Sequence, residues 1–492
     1  MELSEELQAC LREFSSAGPA ELRENGSRIA PLASLTWEVR GDSAKPLLHL
    51  WSENHNLTRR VLAITEHSDD RLSLAVERFG RPRPERLEFL RIEFERSPRE
   101  LSREAFCQRL AALCAEQFPD ETVESLTASA DLEHSLSGNY VRGVLRRGSL
   151  RTALLALPDA ASQELPSRAV TFALLWLDRL RQSARGGHVS GLRLVVPRGA
   201  APSVAQILPA LDQQLNISLY EYDPVREALE EVHPRALANF ESWLVPLRET
   251  QALLDQARPA LAPITSRASR AVTIHPAVHS REVWLRFRGL PFVRWQDQKV
   301  CFGIPDPEKE FNSSSLSTFK RLLHNLEFYR NPLASDTRHA LYRAHPERWL
   351  ESLVREDISR VDAALDPRFL YSQVFAGTSA EHGILDLVGV TRSGRLAIIE
   401  LKATEHIHLP LQAANYWLRI RRHLEQSDFS RYGYFPGIQL QAQAPLVYLV
   451  APALRFHPAT DTLLRYLTPK REVIRVGLAE NWRRGLRVVL RQ

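Results

Sequence analysis

Two strongly apolar runs near the C-terminus, Ile384-Leu385-Asp386-Leu387-Val388-Gly389-Val390 and Arg395-Leu396-Ala397-Ile398-Ile399-Glu400-Leu401-Lys402, are separated only by Thr391-Arg392-Ser393-Gly394. Such a pattern predicts two strands joined by a tight turn. Side chains alternate along a strand, so Glu400 and Lys402 point to one face and Leu401 to the other, and the hairpin brings Asp386 alongside them. Two carboxylates held together on an apolar sheet repel one another, and each is costly to bury unless a cation offsets it. A hard divalent ion fits that role. Magnesium takes a few carboxylate oxygens and keeps several waters, leaving room for a phosphate and an attacking water, and Lys402 beside that water can orient it or help remove its proton.

Helices are expected on both sides of the hairpin. Upstream, a helix opening at Pro346 carries Leu350, Leu353, Val354, Ile358 and Val361 on its buried side and Glu351 near that apolar edge, with Glu347 and Glu356 as rivals. Downstream, Gln412, Asn415, Tyr416 and Arg419 share one face at i, i+3, i+4 and i+7, while Ala413, Trp417, Ile420 and Leu424 form an apolar one. The order Glu351, Asp386, Glu400-Leu401-Lys402, Gln412 resembles the PD-(D/E)xK nuclease superfamily over residues 346–452. Asp386 lacks the preceding proline of that pattern. The resemblance implies a restriction-endonuclease-like α/β core, a mixed central sheet flanked by helices. It implies that Asp386, Glu400 and Glu351 hold Mg2+ (or Mn2+), that Lys402 acts on the water, and that Gln412 supports them. The activity so implied is a nuclease hydrolysing phosphodiester bonds of nucleic acid, DNA in the first place, with Tyr416, Arg419 and Arg422 expected to meet the phosphates. Two alternatives stand beside it: a non-catalytic nucleic-acid-binding or scaffold protein, and an RNA or defence nuclease gated by residues 1–345.

A chain of 492 residues divides into several domains. The expectation is a multidomain α/β protein: a β-rich module over 1–100, an α/β domain over 101–232, a helical spacer over 233–268, a β/α module over 269–345 and the nuclease-like domain over 346–492. In the 269–345 module, Lys320, Arg321, His324 and Arg330, then Arg338, His339, Arg343 and Arg348, are expected to form a basic entry. The 102–222 segment repeats the C-terminal order of elements and reads as a degenerate copy. Superposing the two strings sets Tyr140 at the place of Asp386, Ala156 at that of Glu400 and Pro158 at that of Lys402.

Composition excludes some classes. Cys10, Cys107, Cys114 and Cys301 form no CxxC pair and no His/Cys cluster at zinc spacing. His406 and His408 are expected in a loop rather than as ligands. No Gly-rich phosphate loop of an NTPase occurs. Only six lysines are present, one of them Lys402, and the net charge of +5 permits a phosphate-facing patch if the excess is clustered. An acidic start and apolar runs too short for a bilayer give a cytoplasmic protein with no membrane partner as the expectation, and a homodimer is compatible with the fold.

Overall fold

The computed structural model describes residues 3–16, 20–25, 27–32, 35–40, 45–51, 56–78, 81–91, 98–158, 166–183, 188–234, 242–266, 271–278, 280–372, 375–376, 387–468 and 471–492. The chain divides into two compact units, 1–102 and 103–492. It is an α/β protein with several sheets, and no helix among the described residues is long and apolar enough to cross a membrane.

The first unit is one antiparallel sheet of seven strands: β1 (Ala20–Glu24), β2 (Ser27–Pro31), β3 (Thr36–Arg40), β4 (Leu47–Trp51), β5 (Asn56–His67), β6 (Arg71–Arg78) and β7 (Arg81–Arg91), in the order β2-β1-β7-β6-β5-β4-β3. Its buried face carries Leu48, Leu50, Val61, Leu72, Leu74, Leu87 and Phe89, covered by α1 (Leu3–Ser16) through Leu7, Cys10, Leu11 and Phe14. That i, i+3, i+4, i+7 stripe is what makes the segment a helix lying on a sheet. The β-rich character expected of residues 1–100 holds for this sheet, and α1 is an element that expectation did not include.

In the second unit, two sheets share one plan. The first consists of β8 (Thr122–Thr127), β9 (Val141–Arg147), β10 (Leu150–Ala156), β11 (His188–Pro197), β12 (Ile217–Asp223) and β13 (Ala228–Val232). α2 (Pro98–Gln117) lies on one face, and α3 (Ala169–Ser183) with the short α4 (Ala201–Ala205) on the other. Its neighbours run antiparallel, antiparallel, parallel, parallel, antiparallel from β8 to β13.

Between the sheets in sequence come β14 (Trp243–Leu244), α5 (Leu247–Thr265) and a five-stranded antiparallel sheet, β15 (Val272–Ala277), β16 (Glu282–Phe287), β17 (Leu290–Gln296), β18 (Lys299–Phe302) and β19 (Lys309–Glu310), followed by α6 (Leu316–Tyr329) and α7 (Ala340–Arg343). Among the described residues of the expected spacer, Leu247–Thr265 is helical, whereas Trp243 and Leu244 pair with β21 (Phe375–Ala376). Residues 235–241 lie outside the described residues.

The last sheet adds β20 (Leu365–Tyr371), β22 (Leu387–Thr391), β23 (Leu396–Leu401), β24 (Leu446–Pro452), β25 (Val473–Leu478) and β26 (Val488–Arg491), in the order β20-β22-β23-β24-β25-β26. Here too the senses are antiparallel, antiparallel, parallel, parallel, antiparallel. One face packs on α8 (Pro346–Glu356), the other on α9 (Leu409–Glu425), which is followed by α10 (Asp428–Arg431) and, beyond β24, α11 (Thr460–Arg465). All residues of β23 and β24 are buried, as expected of inner strands covered on both faces.

The ladders also correct the alignment of the two halves by one residue. Gly143 pairs with Leu154, whereas Gly389 pairs with Ala397. Ala156 accordingly packs on the α2 face, and it is Leu157, packed on the α3 face, that shares the side and ladder position of Glu400. The string comparison missed this because the hairpin turns differ by an odd number of residues, which flips faces in a period-2 structure.

Candidate active site

The β22–β23 hairpin runs from Leu387 opposite Ile399 to Val390 opposite Leu396. Its turn closes through Thr391 N–H donating to the Arg395 carbonyl at 2.8 Å and Arg395 N–H donating to Thr391 Oγ1 at 2.9 Å. Gly394 has φ +92°, and a Cβ there would lie 2.3 Å from the Gln439 carbonyl oxygen, so only glycine fits. In β23, Ala397, Ile399 and Leu401 pack toward α8, while Leu396 and Ile398 pack toward α9. Alternation places Glu400 and Lys402 on the α9 side, and the Lys402 N–H still continues the parallel ladder by donating to the Val450 carbonyl at 3.0 Å.

Lys402 Nζ donates to Glu400 Oε1 at 3.1 Å, with the Glu400 side chain 3 % and the Lys402 side chain 16 % exposed. Glu351 enters from α8. Of the three glutamates on that helix it alone is buried: Glu356 is exposed, and Glu347 is half-buried and accepts from Thr404 Oγ1 at 3.3 Å. One Glu351 oxygen, Oε2, accepts from Arg348 Nη1 at 2.7 Å, and the other, Oε1, is buried without a hydrogen-bond partner among the described residues. Asp386 lies outside the described residues, and among the described residues no group of three or more His, Cys, Asp or Glu is arranged to hold a metal ion.

Arg348, Arg286 and Arg355 bring positive charge around Glu351, and neither Arg286 nor Arg355, nor His275 beside Arg286, was anticipated from sequence. Burial, then Arg348, pushes the Arg286 guanidinium down to about 10, with Glu351 opposing. Arg355 is lowered by burial, again opposed by Glu351, and donates to Ser372 Oγ at 3.3 Å. His275 on β15 is held well below the usual imidazole range by burial, then by Arg286, and its Nδ1 lies 3.3 Å from Arg286 Nη1. The signal was present in β16, where Arg286 interrupts the buried run Leu285–Phe287, but a single arginine in a strand does not say which neighbour it meets. The β16–β17 turn presses directly on α8: Gly289, at φ +79°, would place a Cβ 2.0 Å from the Arg348 carbonyl oxygen.

The expected basic entry is only partly at the surface. Lys320, Arg321, His324, Arg338 and Arg343 are exposed, but Arg330 is completely buried. Its guanidinium donates to the carbonyls of Phe287, Arg288, Leu341 and Ala344 at 2.7–3.2 Å and lies 4.7 Å over the Trp349 ring, which ties α6, β16 and α7 to the start of α8.

On α9, Gln412 Oε1 and Asn415 Oδ1 are buried without hydrogen-bond partners among the described residues. Tyr416, expected on the polar face with them, is instead 5 % exposed and packs in the core beneath the helix. A tyrosine satisfies both a polar and an apolar stripe, which is why spacing alone misplaced it. Arg419 turns toward the first α/β half, with Nη2 3.5 Å from Gln206 Oε1, and Arg422 is half-buried in the last turn. His406 and His408 do lie in the loop before α9, but half-buried: burial, then Lys402, pushes His406 down to about 4, and burial, then His406, pushes His408 down to about 3. His408 Nδ1 lies 2.8 Å from Thr171 Oγ1 on α3.

No protein-family model matches the chain, and comparison with curated proteins finds no match.

Proposed function

We propose that residues 346–492 form a metal-dependent nuclease of the PD-(D/E)xK kind, with a restriction-endonuclease-like core, that hydrolyses phosphodiester bonds of nucleic acid, DNA in the first place. The observation that carries this reading is the end of β23. A glutamate and a lysine stand there in a strand whose other residues are apolar and buried, where a well-packed apolar pair would serve stability as well or better. The Glu351 oxygen without a donor among the described residues adds to it, since a buried carboxylate oxygen of that kind is a position that a hard cation or its water satisfies.

Glu400 and Asp386 are the residues that would hold magnesium or manganese, with Glu351, which comes from α8 on the other face of the sheet, reaching the ion through water. Such an ion supplies a bound water of lowered pKa and positive charge at the phosphate oxygens. Lys402 places an ammonium beside Glu400, and with its side chain partly open to water it can hold the attacking water by its oxygen and share the proton balance of the step. Arg348 and Arg355 bring positive charge to the same side of α8 as Glu351, which favours a polyanion entering there. Gln412 and Asn415 offer amide groups whose acceptors have no hydrogen-bond partner among the described residues, suited to orienting a water or a phosphate-bound donor.

One observation favours a different reading. The 3.1 Å contact of Glu400 with Lys402 is also what a plain ion pair makes, and a non-catalytic nucleic-acid-binding protein would need nothing more. Incubating the purified chain with single-stranded, duplex and branched DNA and with RNA, in magnesium, manganese or chelator, separates them. Metal-dependent cleavage abolished by Glu400→Ala and strongly slowed by Lys402→Ala is expected. Wild-type protein inert on every substrate with both metals leaves the binding protein as the better account.

A further inference from the structure

The two α/β halves of the second unit do more than share a strand plan. They face one another across the layer that carries α3 on one side and α9 on the other, and the contacts are reciprocal. Leu411, Ala414, Leu463, Tyr466 and Leu467 of the C-terminal half enter the core built on α3 and α4 of the first. Toward α3, Tyr466 Oη donates to Asp178 Oδ1 at 3.0 Å and Arg465 pairs with the same carboxylate at 3.2 Å. In the opposite sense, Arg419 of α9 reaches Gln206, just after α4, and Arg471 Nη1 donates to the Ala210 carbonyl at 2.9 Å.

At the centre lies an isolated antiparallel bridge between Leu211 and Leu467. It is closed by Asp212 N–H to the Tyr466 carbonyl at 2.9 Å and Thr468 N–H to the Ala210 carbonyl at 3.0 Å. Leu211 and Leu467 hold the same place in their halves, each in the segment leading into the fifth strand of its sheet, β12 and β25. An antiparallel pairing of equivalent residues has a local two-fold axis through it. The arrangement is that of an isologous dimer, in which the same patch of each partner meets itself, made inside one chain.

The halves are unequal in chemistry. Leu157 occupies the ladder position of Glu400, and β10 (Leu150–Ala156) contains no carboxylate at all. A two-fold related pair of equipped sites can cut both strands of a duplex in one encounter, one strand per site. One equipped site cannot. We infer that the chain acts as a monomer whose first α/β half fills the place of a second protomer, and that it breaks one strand of a DNA duplex per encounter, leaving a nick. This rests on the nuclease reading above. Each turnover forms one P–O bond to water and breaks one P–O ester bond, with the water's protons passing to the leaving oxygen and to solvent, so a second break needs a second visit.

The test is a time course on supercoiled plasmid in magnesium with the full chain, run alongside light scattering of the protein at the same concentrations. Open circle is expected to form at least tenfold faster than linear DNA, at a rate proportional to enzyme concentration, with scattering giving the mass of one chain. Linear DNA appearing without a lag and alongside open circle, a rate rising with the square of enzyme concentration, or twice the chain mass overturns the inference while leaving the nuclease reading intact. Plasmid left unchanged in magnesium and in manganese overturns the nuclease reading itself and, with it, the nick.

Discussion

Replacing Glu400 with glutamine separates a metal site from an ion pair, because the two make opposite statements about magnesium. Glutamine keeps the side-chain length and still offers Oε1 to Lys402 Nζ, 3.1 Å away in the native protein, but removes the charge. Breaking a fully buried pair by taking one partner costs about 3–5 kcal/mol. Lys402 retains some contact with water, its side chain being 16 % exposed, so the metal-free cost is expected at about 1–3 kcal/mol. The decisive quantity is the response to metal. An ion that binds only the native state at ten times its dissociation constant adds about 1.4 kcal/mol. In a unit of this size that raises the melting temperature by about 1–2 °C. Calorimetric or fluorimetric melts in magnesium and in chelator should show that rise for wild type and less than a third of it for Glu400→Gln. An equal rise in both proteins, or none in wild type, refutes the assignment of Glu400 as a ligand.

Arg330→Met should destabilise the second unit by about 3–5 kcal/mol, since methionine fills much of the space but leaves the Leu341 and Ala344 carbonyls without their donors. A urea midpoint corresponding to less than about 1 kcal/mol would contradict it. His406 and His408 have folded pKa values of about 4 and about 3 against an ordinary value of 6.5, so the unfolded chain takes up their protons first. The stability they carry is complete above pH 6.5 and is lost as pH falls through the window toward 4 and 3, by on the order of 2 kcal/mol once water at the half-buried rings is allowed for. His408→Gln should flatten that fall, and an unchanged slope of stability against pH would remove the histidines as its cause. DNA binding should weaken steeply with salt, and Arg321→Ala with Arg343→Ala, both exposed in the native protein, should reduce the slope by roughly one to two counterions. A slope equal to that of wild type would take these arginines out of the interface.

Local pattern carried a good part of this structure. The hairpin at β22–β23 follows from two apolar runs and a glycine that must adopt positive φ. That Glu351 alone of the three helix glutamates is buried also follows from spacing, since it sits beside Leu350 and Val354 on the buried stripe of α8. What pattern could not supply is where long side chains go once elements meet. Arg330 reads as one more cation on a basic helix because its carbonyl partners lie on β16 and α7, between 11 and 43 residues away in sequence. Arg286 escaped notice for the same reason, its relation to Glu351 being made by the docking of a separate sheet on α8. α1 was overlooked although its stripe of Leu7, Cys10, Leu11 and Phe14 is regular.

The bridge between Leu211 and Leu467 has a consequence for how such a protein can change over generations. In a symmetric homodimer every inherited substitution appears twice, so a residue that improves one side of the contact must be tolerated on the other, and losing a site residue loses it in both subunits. With the two halves joined in one chain, each position is inherited separately. Leu157 can occupy the place that Glu400 keeps without any loss at Glu400, and Arg471 can lodge over Trp417 against the Ala210 carbonyl without a counterpart being imposed on the first half. Division of labour between a half that holds shape and a half that retains ionisable groups is open to a fused pair and closed to a symmetric one.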